Sequence, residues 1–382
     1  MKKLILFFLL LLLGSATISA QPAPSPNDYS GPTTAGFWLY PFMDQAQADQ
    51  MAGYSVLILH NELFYKQSAM IDYIIRKNPS IKLLVYFNPI EHFVPPYEDC
   101  PWAIKMVREL NQGERKNWWL LQPNGKPITF WTGTDGRQTN LMDMRINSAV
   151  VDNQIYCEYI AKKLNEDILS KDKRIVGIEI DNAWPNSFWL SRYGTNKGVD
   201  FDRNGKADID SQAIDRDWQA GENRFIKLIR EYKGDDFIMI SNPGTLAFNI
   251  DLNGKILENW PFQYAGDTTN DGWNISMFNA ARTGPYTILN ARPGNWFFTL
   301  CSALLLDKVC FADVQNAPYK ERYKINLGKA LEAQTSNFKK NLSIYSRKYE
   351  RGTVYVNPKL KTSWIEDKNG NPLYNKEGQH LQ

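Results

Sequence analysis

The chain has 382 residues, 43% of them hydrophobic and 22% charged, with a formal net charge of +3. Its Lys and Arg form no clustered stripe, so nucleic acid is not an expected partner. Three histidines and four cysteines without CxxC or Cys/His spacing argue against a zinc centre or a histidine-dependent triad.

The N-terminus reads Lys2, Lys3, then "LILFFLLLLLG", then "SATISA". A charged start, a short apolar stretch and small residues before Gln21 predict a signal peptide over residues 1–20, hence a secreted or periplasmic protein. No other segment is apolar enough to span a bilayer, so no membrane span remains after cleavage. Residues 21–34, rich in Pro, Ser and Thr, read as a linker. An exported chain could pair its cysteines, but Cys157 lies in a helical pattern and Cys301 and Cys310 in apolar runs. Buried free thiols are therefore expected over two disulfides.

Short apolar runs then alternate with amphipathic ones. "GFWLY" (36–40), "SVLILH" (55–60), "IKLLVYFNP" (81–89), "IVGIEIDN" (175–182), "FIMISNPG" (237–244), "GKILENWP" (254–261), "YTILNARPG" (286–294) and "KVCFAD" (308–313) have the length and composition of buried strands. Between them, "KQSAMIDYIIRKN", "AVVDNQIYCEYIAKKLNEDIL", "ENRFIKLIREY" and "WFFTLCSALLLD" read as helices. No G-x-G-x-x-G turn opens a dinucleotide fold, and no organic cofactor is expected. The pattern predicts an α/β fold, a (β/α)8 TIM barrel over residues 35–320. Beyond it, turn signals at Arg351-Gly352 and Asn369-Gly370 predict a β-rich extension over 321–382.

Barrel active sites gather at the C-terminal strand ends, and these ends are polar. They carry His60 to Glu62, Asn88 and Glu91, Asp181 and Asn182, Asn242, Glu258 and Asn259, Asn290 and Arg292, and Asp313, with Trp184, Trp189, Trp260 and Trp296 just beyond. Indoles stack on sugar rings while amides and carboxylates pair with hydroxyls, so a carbohydrate is the expected ligand. Hydrolysis of a glycoside needs two carboxyl groups, one protonated and one ionised. Asp181, ending the fourth strand, is assigned as nucleophile, and Glu258, on the sixth, as general acid/base; a turn residue and a rim ion pair are the plainer alternatives. Glu62, Asn88, Asn182, Trp184, Asn242, Trp260, Asn290 and Arg292 are the candidate substrate contacts, although Glu62 and Glu91 could equally be structural and the amides loop caps.

"DFDRNGKADID" (200–210) places Asp200, Asp202, Asn204, Lys206 and Asp208 at positions one, three, five, seven and nine of an EF-hand-type loop, with Gly205 at the sharp turn. Position twelve is Ser211, so Asp210 or Asp215 would have to replace the usual glutamate. A structural calcium site and an acidic loop capping the next helix both fit this pattern.

With "LMDMR", "VGIEIDNAW", "DFDRNGKADID", "DWQAGENRFIKLIRE", "ISNPG", "NGKILENWP", "INLGKALEA" and "YSRKYERGTVYVNP" in this order, the chain resembles exported bacterial and archaeal hypothetical glycosyl hydrolases with a TIM barrel, in particular hypothetical family fifteen. The resemblance implies action on glycosidic bonds in an extracellular oligo- or polysaccharide, with Asp181 and Glu258 matching the family's acidic strand ends. A barrel that binds glycan without cleaving it, and a metal-dependent hydrolase using His60, Glu62 and Asp181, are the rival readings.

Overall fold

The computed structural model describes residues 32–133, 135–187, 190, 196–208, 212–242, 252–260, 270–335, 338, 342–375 and 377–381. The expected signal peptide, most of the linker, Trp189, Asp210 and Ser211 lie outside them. Eight parallel strands close into a barrel: β1 (Thr33–Trp38), β2 (Val56–His60), β3 (Lys82–Phe87), β7 (Ile175–Ile180), β8 (Ile238–Ser241), β9 (Gly254–Trp260), β10 (Ile288–Ala291) and β11 (Cys310–Ala312). Every one coincides with a predicted strand. β1 begins at Thr33, inside the stretch read as linker, because Thr33 and Thr34 pair with Cys310 and Phe311 and so close the barrel.

The strand residues alternate between two environments. Ala35, Phe37, Val56, Ile58, Leu84, Ile238, Ile240, Ile256, Ile288, Cys310 and Ala312 fill the barrel interior, while Leu57, Leu59, Leu83, Val85, Ile178 and Met239 face the helices. That two-residue period is the pleat itself, and in a barrel buried on both sides it yields uninterrupted apolar runs.

The helical layer comprises α1 (Gln45–Met51), α2 (Asn61–Lys66), α3 (Ser68–Lys77), α4 (Pro101–Leu110), α5 (Tyr156–Leu164), α6 (Gln212–Lys233), α7 (Asn270–Ala280) and α8 (Trp296–Leu304). The helix expected from residue 149 starts only at Tyr156. Asp152 and Asn153 take left-handed φ values of 52° and 60°, and Val151 bridges Gln154 in a tight turn instead.

Between β3 and α5 the chain makes an excursion that the strand–helix alternation did not predict. β4 (Glu91–Phe93), β5 (Thr129–Thr132) and β6 (Gln138–Leu141) form a three-stranded antiparallel sheet at the barrel's mouth. The C-terminal strands β12 (Tyr345–Tyr349), β13 (Gly352–Asn357), β14 (Thr362–Asp367) and β15 (Pro372–Tyr374) form the expected antiparallel sheet. Tyr345, Tyr349, Val354, Val356 and Ile365 share one core with Leu300, Leu304 and Phe311, so this sheet packs directly on the barrel's last helix. All four cysteines are buried free thiols, as expected. No helix among the described residues is long and apolar enough to cross a membrane.

Gly221 shows how tightly α6 is seated. A Cβ there would stand 1.7 Å from the Met144 carbonyl oxygen, in the "LMDMR" segment. Gly221→Ala should cost about 1–3 kcal/mol by overpacking, read as a lower thermal midpoint; an unchanged midpoint would mean that α6 can lift off this segment freely.

Candidate active site

The strand ends β3, β7, β8 and β9 and the excursion sheet enclose a cavity of about 570 Å³, lined by Tyr86, Glu91, Glu179, Asp181, Asn182, Asn242, Glu258, Asn259 and Gln315 with an apolar and aromatic wall of Phe37, Leu39, Phe130, Trp131, Trp184 and Ile256. Asp181 is carried there by the ladder. Its amide donates to Phe87 O, Asn242 N donates to Ile180 O, and Ala183 N donates to Asn242 O, so pairing runs one step past the named strands. The pleat then turns Asp181 inward, on the same face as Gly177 and Glu179.

Three donors converge on Asp181. The Tyr86 hydroxyl donates to Oδ2 at 2.7 Å, and Asn182 N and Asn242 Nδ2 donate to Oδ1 at 2.9 and 3.0 Å. Burial raises the pKa of this carboxyl above the ordinary aspartate value, while these donors pull it back toward the ionised form. Asn242 Nδ2 also reaches Glu258 Oε2 at 3.4 Å, and Gln315 Nε2 reaches the other oxygen of Glu258 at 3.4 Å. The two predicted acids therefore face one cavity across a shared amide.

Asn182 sits in the left-handed region at φ 56°. Its side chain donates to Glu91 Oε1 and accepts from Trp184 Nε1 at 3.2 Å. Burial, with Asp181 nearby, pushes the Glu91 carboxyl up to about 8, so Glu91 is protonated at neutral pH. Glu179 stands one pleat repeat below Asp181, is 2% exposed, and its Oε2 has no hydrogen-bond partner. Burial, reinforced by Asp181 and Glu258, raises its pKa well above that of an ordinary glutamate.

Several predicted contacts are built into the fold instead. Glu62 is fully buried and its Oε1 accepts from Trp102 N and Ala103 N at 2.9 and 3.3 Å. It thus satisfies the first free amides of α4, whose own cap position, Cys100, supplies no side-chain acceptor. Trp260 is 2% exposed and stacks on Phe298 at 5.9 Å. Strict alternation from Glu258 would turn it inward, but Leu257 and Trp260 of β9 face Leu289 and Ala291 of β10, so β9 carries one extra residue there. That bulge, with Asn259 at φ 50°, turns Trp260 into the helical layer and leaves Asn259 at the cavity.

Asn290 spends its amide on Asp313 O, tying β10 to the end of β11. Arg292 is exposed and does not line the cavity. Asn88 Oδ1 accepts from Ile90 N and Glu91 N at 3.1 and 3.2 Å, so it shapes the turn that presents Glu91. The three-residue metal set fails as well: His60 Nδ1 accepts from Glu62 N at 3.2 Å at the start of α2, and Glu62 is committed to α4. Glu179, Tyr86, Trp131 and Gln315 were missed. The parity of Glu179 with Asp181 in "IEIDN" was the available signal for one of them.

In the "DFDRNGKADID" loop, carboxylate oxygens of Asp200, Asp202 and Asp208 lie within 4.8 Å of one another. Asn204 N and Gly205 N donate to the two oxygens of Asp200 at 3.0 and 2.8 Å, wrapping the loop around that carboxylate. Arg203 at φ 60° and Gly205 at φ 81° make the turn, and Lys206 is exposed. Asp215 Oδ1 instead accepts from Ser187 N at 3.2 Å. Three clustered oxygens around a glycine turn fit a calcium ion as far as position nine.

Because Glu91 binds its proton more tightly folded than unfolded, it stabilises the protein fully below about pH 4.5, and that contribution is lost as pH rises through about 8. Glu91→Gln should make the fall of the thermal midpoint across this window shallower. An unaltered slope would mean that Glu91 is ionised in the folded protein.

The sequence matches the model of hypothetical glycosyl hydrolase family 15 over residues 76–353. No curated protein shows significant similarity. Among solved structures, the cycloalternan-degrading enzyme from Trueperella pyogenes in complex with isomaltose superposes with TM-score 0.42 at 10% identity, over 74% of this chain and 42% of that one. A GH31 dextranase from Flavobacterium johnsoniae complexed with isomaltotriose gives 0.45 at 7% identity, over 76% and 37%. The glucosidase II alpha subunit gives 0.46 at 12% identity, over 76% and 32%. The chain thus spans less than half the length of each. The family match extends from α3 through β12 and into β13, taking in all the acidic residues of the cavity, and on this evidence the chain belongs to hypothetical glycosyl hydrolase family 15.

Proposed function

We propose that this glycosyl hydrolase cleaves the glycosidic bond of an oligo- or polysaccharide by double displacement, with Asp181 as nucleophile and Glu258 as general acid/base. The observation that carries the reading is Asn242 Nδ2, which contacts Asp181 Oδ1 at 3.0 Å and Glu258 Oε2 at 3.4 Å. Those two oxygens can be no farther apart than the two distances laid end to end. One amide touching both acids supports the close approach, about 5–5.5 Å between carboxyl groups, that double displacement uses.

In the first step an Asp181 oxygen bonds to the anomeric carbon as the glycosidic bond breaks, and the leaving oxygen takes the proton of Glu258. In the second, Glu258 takes a proton from water, whose oxygen displaces Asp181. Tyr86, Asn182 and Asn242 donate to Asp181 in the free protein and so stabilise the carboxylate both as attacking and as leaving group. Trp131, 56% exposed, and Trp184 at the cavity wall offer rings for sugar faces. Two carboxyl groups facing one cavity favour this reading over a binding-only barrel.

Residues 1–20 support a setting outside the cytoplasm, where calcium is abundant, and we propose calcium for the Asp200–Asp208 loop. The loop leads into α6, so a chelator should lower the thermal midpoint of wild-type protein and not that of Asp202→Ala. Equal response of both would remove calcium from this loop.

Asp181→Asn and Glu258→Gln should each reduce kcat by about 10²–10⁴-fold or more, with binding of the uncleaved glycan retained. Proton NMR of the first-formed product should show the anomer of the substrate. Inversion, or full activity of either variant, would contradict the assignment.

A further inference from the structure

Hydrolysis accounts for two of the four carboxyl groups in the cavity, and Glu91 is engaged by Asn182. Glu179 remains. It lines the cavity one pleat repeat below Asp181, paired across the sheet with Tyr86 and Ile240, where the apolar barrel interior of Leu84, Ile240 and Ile256 begins. A buried carboxyl with an unpartnered oxygen is costly unless a donor or a cation arrives to meet it. Among the described residues that line the cavity there is no Lys, Arg or His. Amides that would suit a sugar hydroxyl are already present in Asn182, Asn242, Asn259 and Gln315, so a glutamine would have served that purpose at position 179 without the cost of burying a carboxyl.

We infer that the floor of the cavity receives a glycosyl unit bearing a protonated amino group, with Glu179 as its counter-ion. The inference rests on the hydrolase reading only for taking this cavity as the sugar site. An ammonium group supplies what the site lacks, a positively charged donor beside the Glu179 carboxyl. The same surroundings offer no cation to a uronic acid or a sulfated sugar, since no Lys, Arg or His is among the described residues that line the cavity.

The inference has a proton signature. In the free protein burial, with Asp181 and Glu258 nearby, favours the protonated form of Glu179. A bound ammonium favours the ionised form, so the site releases a proton on binding.

The test is calorimetric titration of wild-type protein with glucosamine and galactosamine, against glucose, galactose and the two N-acetylated amino sugars. It is run at about pH 6 in buffers of different ionisation enthalpy. One of the amino sugars should bind about tenfold or more tighter than its neutral and N-acetylated counterparts, with release of protons, and Glu179→Gln should lose both the preference and the proton release. Equal affinity for charged and neutral sugars, or an amino-sugar preference that survives in a folded Glu179→Gln, would overturn the inference. The wild-type comparison decides the preference by itself should the variant not fold. Amino-sugar binding without cleavage of any glycan would sink the hydrolase reading and leave this one standing; cleavage of neutral glycans without amino-sugar preference would do the reverse.

Discussion

One side-chain amide, that of Asn242, holds the centre of this molecule in register. Its nitrogen sits between a carboxylate at the end of β7 and another on β9, while its backbone N–H and C=O continue the ladder between β7 and β8. The amide's place is thus set by main-chain pairing and not by a flexible loop. Glu258 this close raises the pKa of Asp181, and the amide that touches both opposes that rise.

The remaining polar groups are graded by depth. At the rim, Trp131 and Trp184 present rings next to solvent. Below them Asp181 is held by three donors, Glu91 leans on Asn182, and Glu179 lies one pleat repeat below Asp181 with an oxygen that nothing satisfies. Burial raises the pKa of Glu91, Asp181 and Glu179 alike; hydrogen bonds oppose that rise at Asp181, from Tyr86, Asn182 and Asn242, and at Glu91, from Asn88, Thr139 and Asn182, while nothing of the kind opposes it at Glu179. The environment, more than residue type, therefore sets how far each carboxyl is pushed toward its protonated form.

The barrel could be read from the amino acids because its strands are buried on both faces and helices such as α3, α4, α5 and α6 are amphipathic, so eight apolar runs stood out against a 3.6-residue background. Asp181, Asn182, Trp184, Asn242 and Glu258 were legible for a related reason, since each abruptly ends or interrupts such a run near the strand end that forms the mouth. Trp260 was misread because a bulge at Asn259 shifts parity by one residue, and nothing local in "LENWP" announces an extra residue in pairing with β10. Glu62 was misread because its role is to cap α4, some forty residues away. Asn290, within β10, gives its amide to the end of β11, and Arg292, just past the strand, is exposed. Trp131 reaches the cavity only through the excursion sheet, a non-local pairing invisible to periodicity.

Segments outside the cavity act as its scaffold. In "LMDMR", Asp143 and Arg145 form an ion pair at 2.7 Å, and Arg145 lies 4.1 Å from the ring centre of Phe201 in the acidic loop. Met144 of the same segment meets Gly221 on α6, the helix that follows that loop and precedes β8 and Asn242. The most direct test of the account is mass spectrometry of protein quenched during reaction with an activated fluorinated glycoside of a sugar that it hydrolyses. The account predicts a glycosyl adduct on the peptide containing Asp181, at Asp181 and not at Glu179. An adduct on Glu179, Glu91 or Glu258 would contradict it.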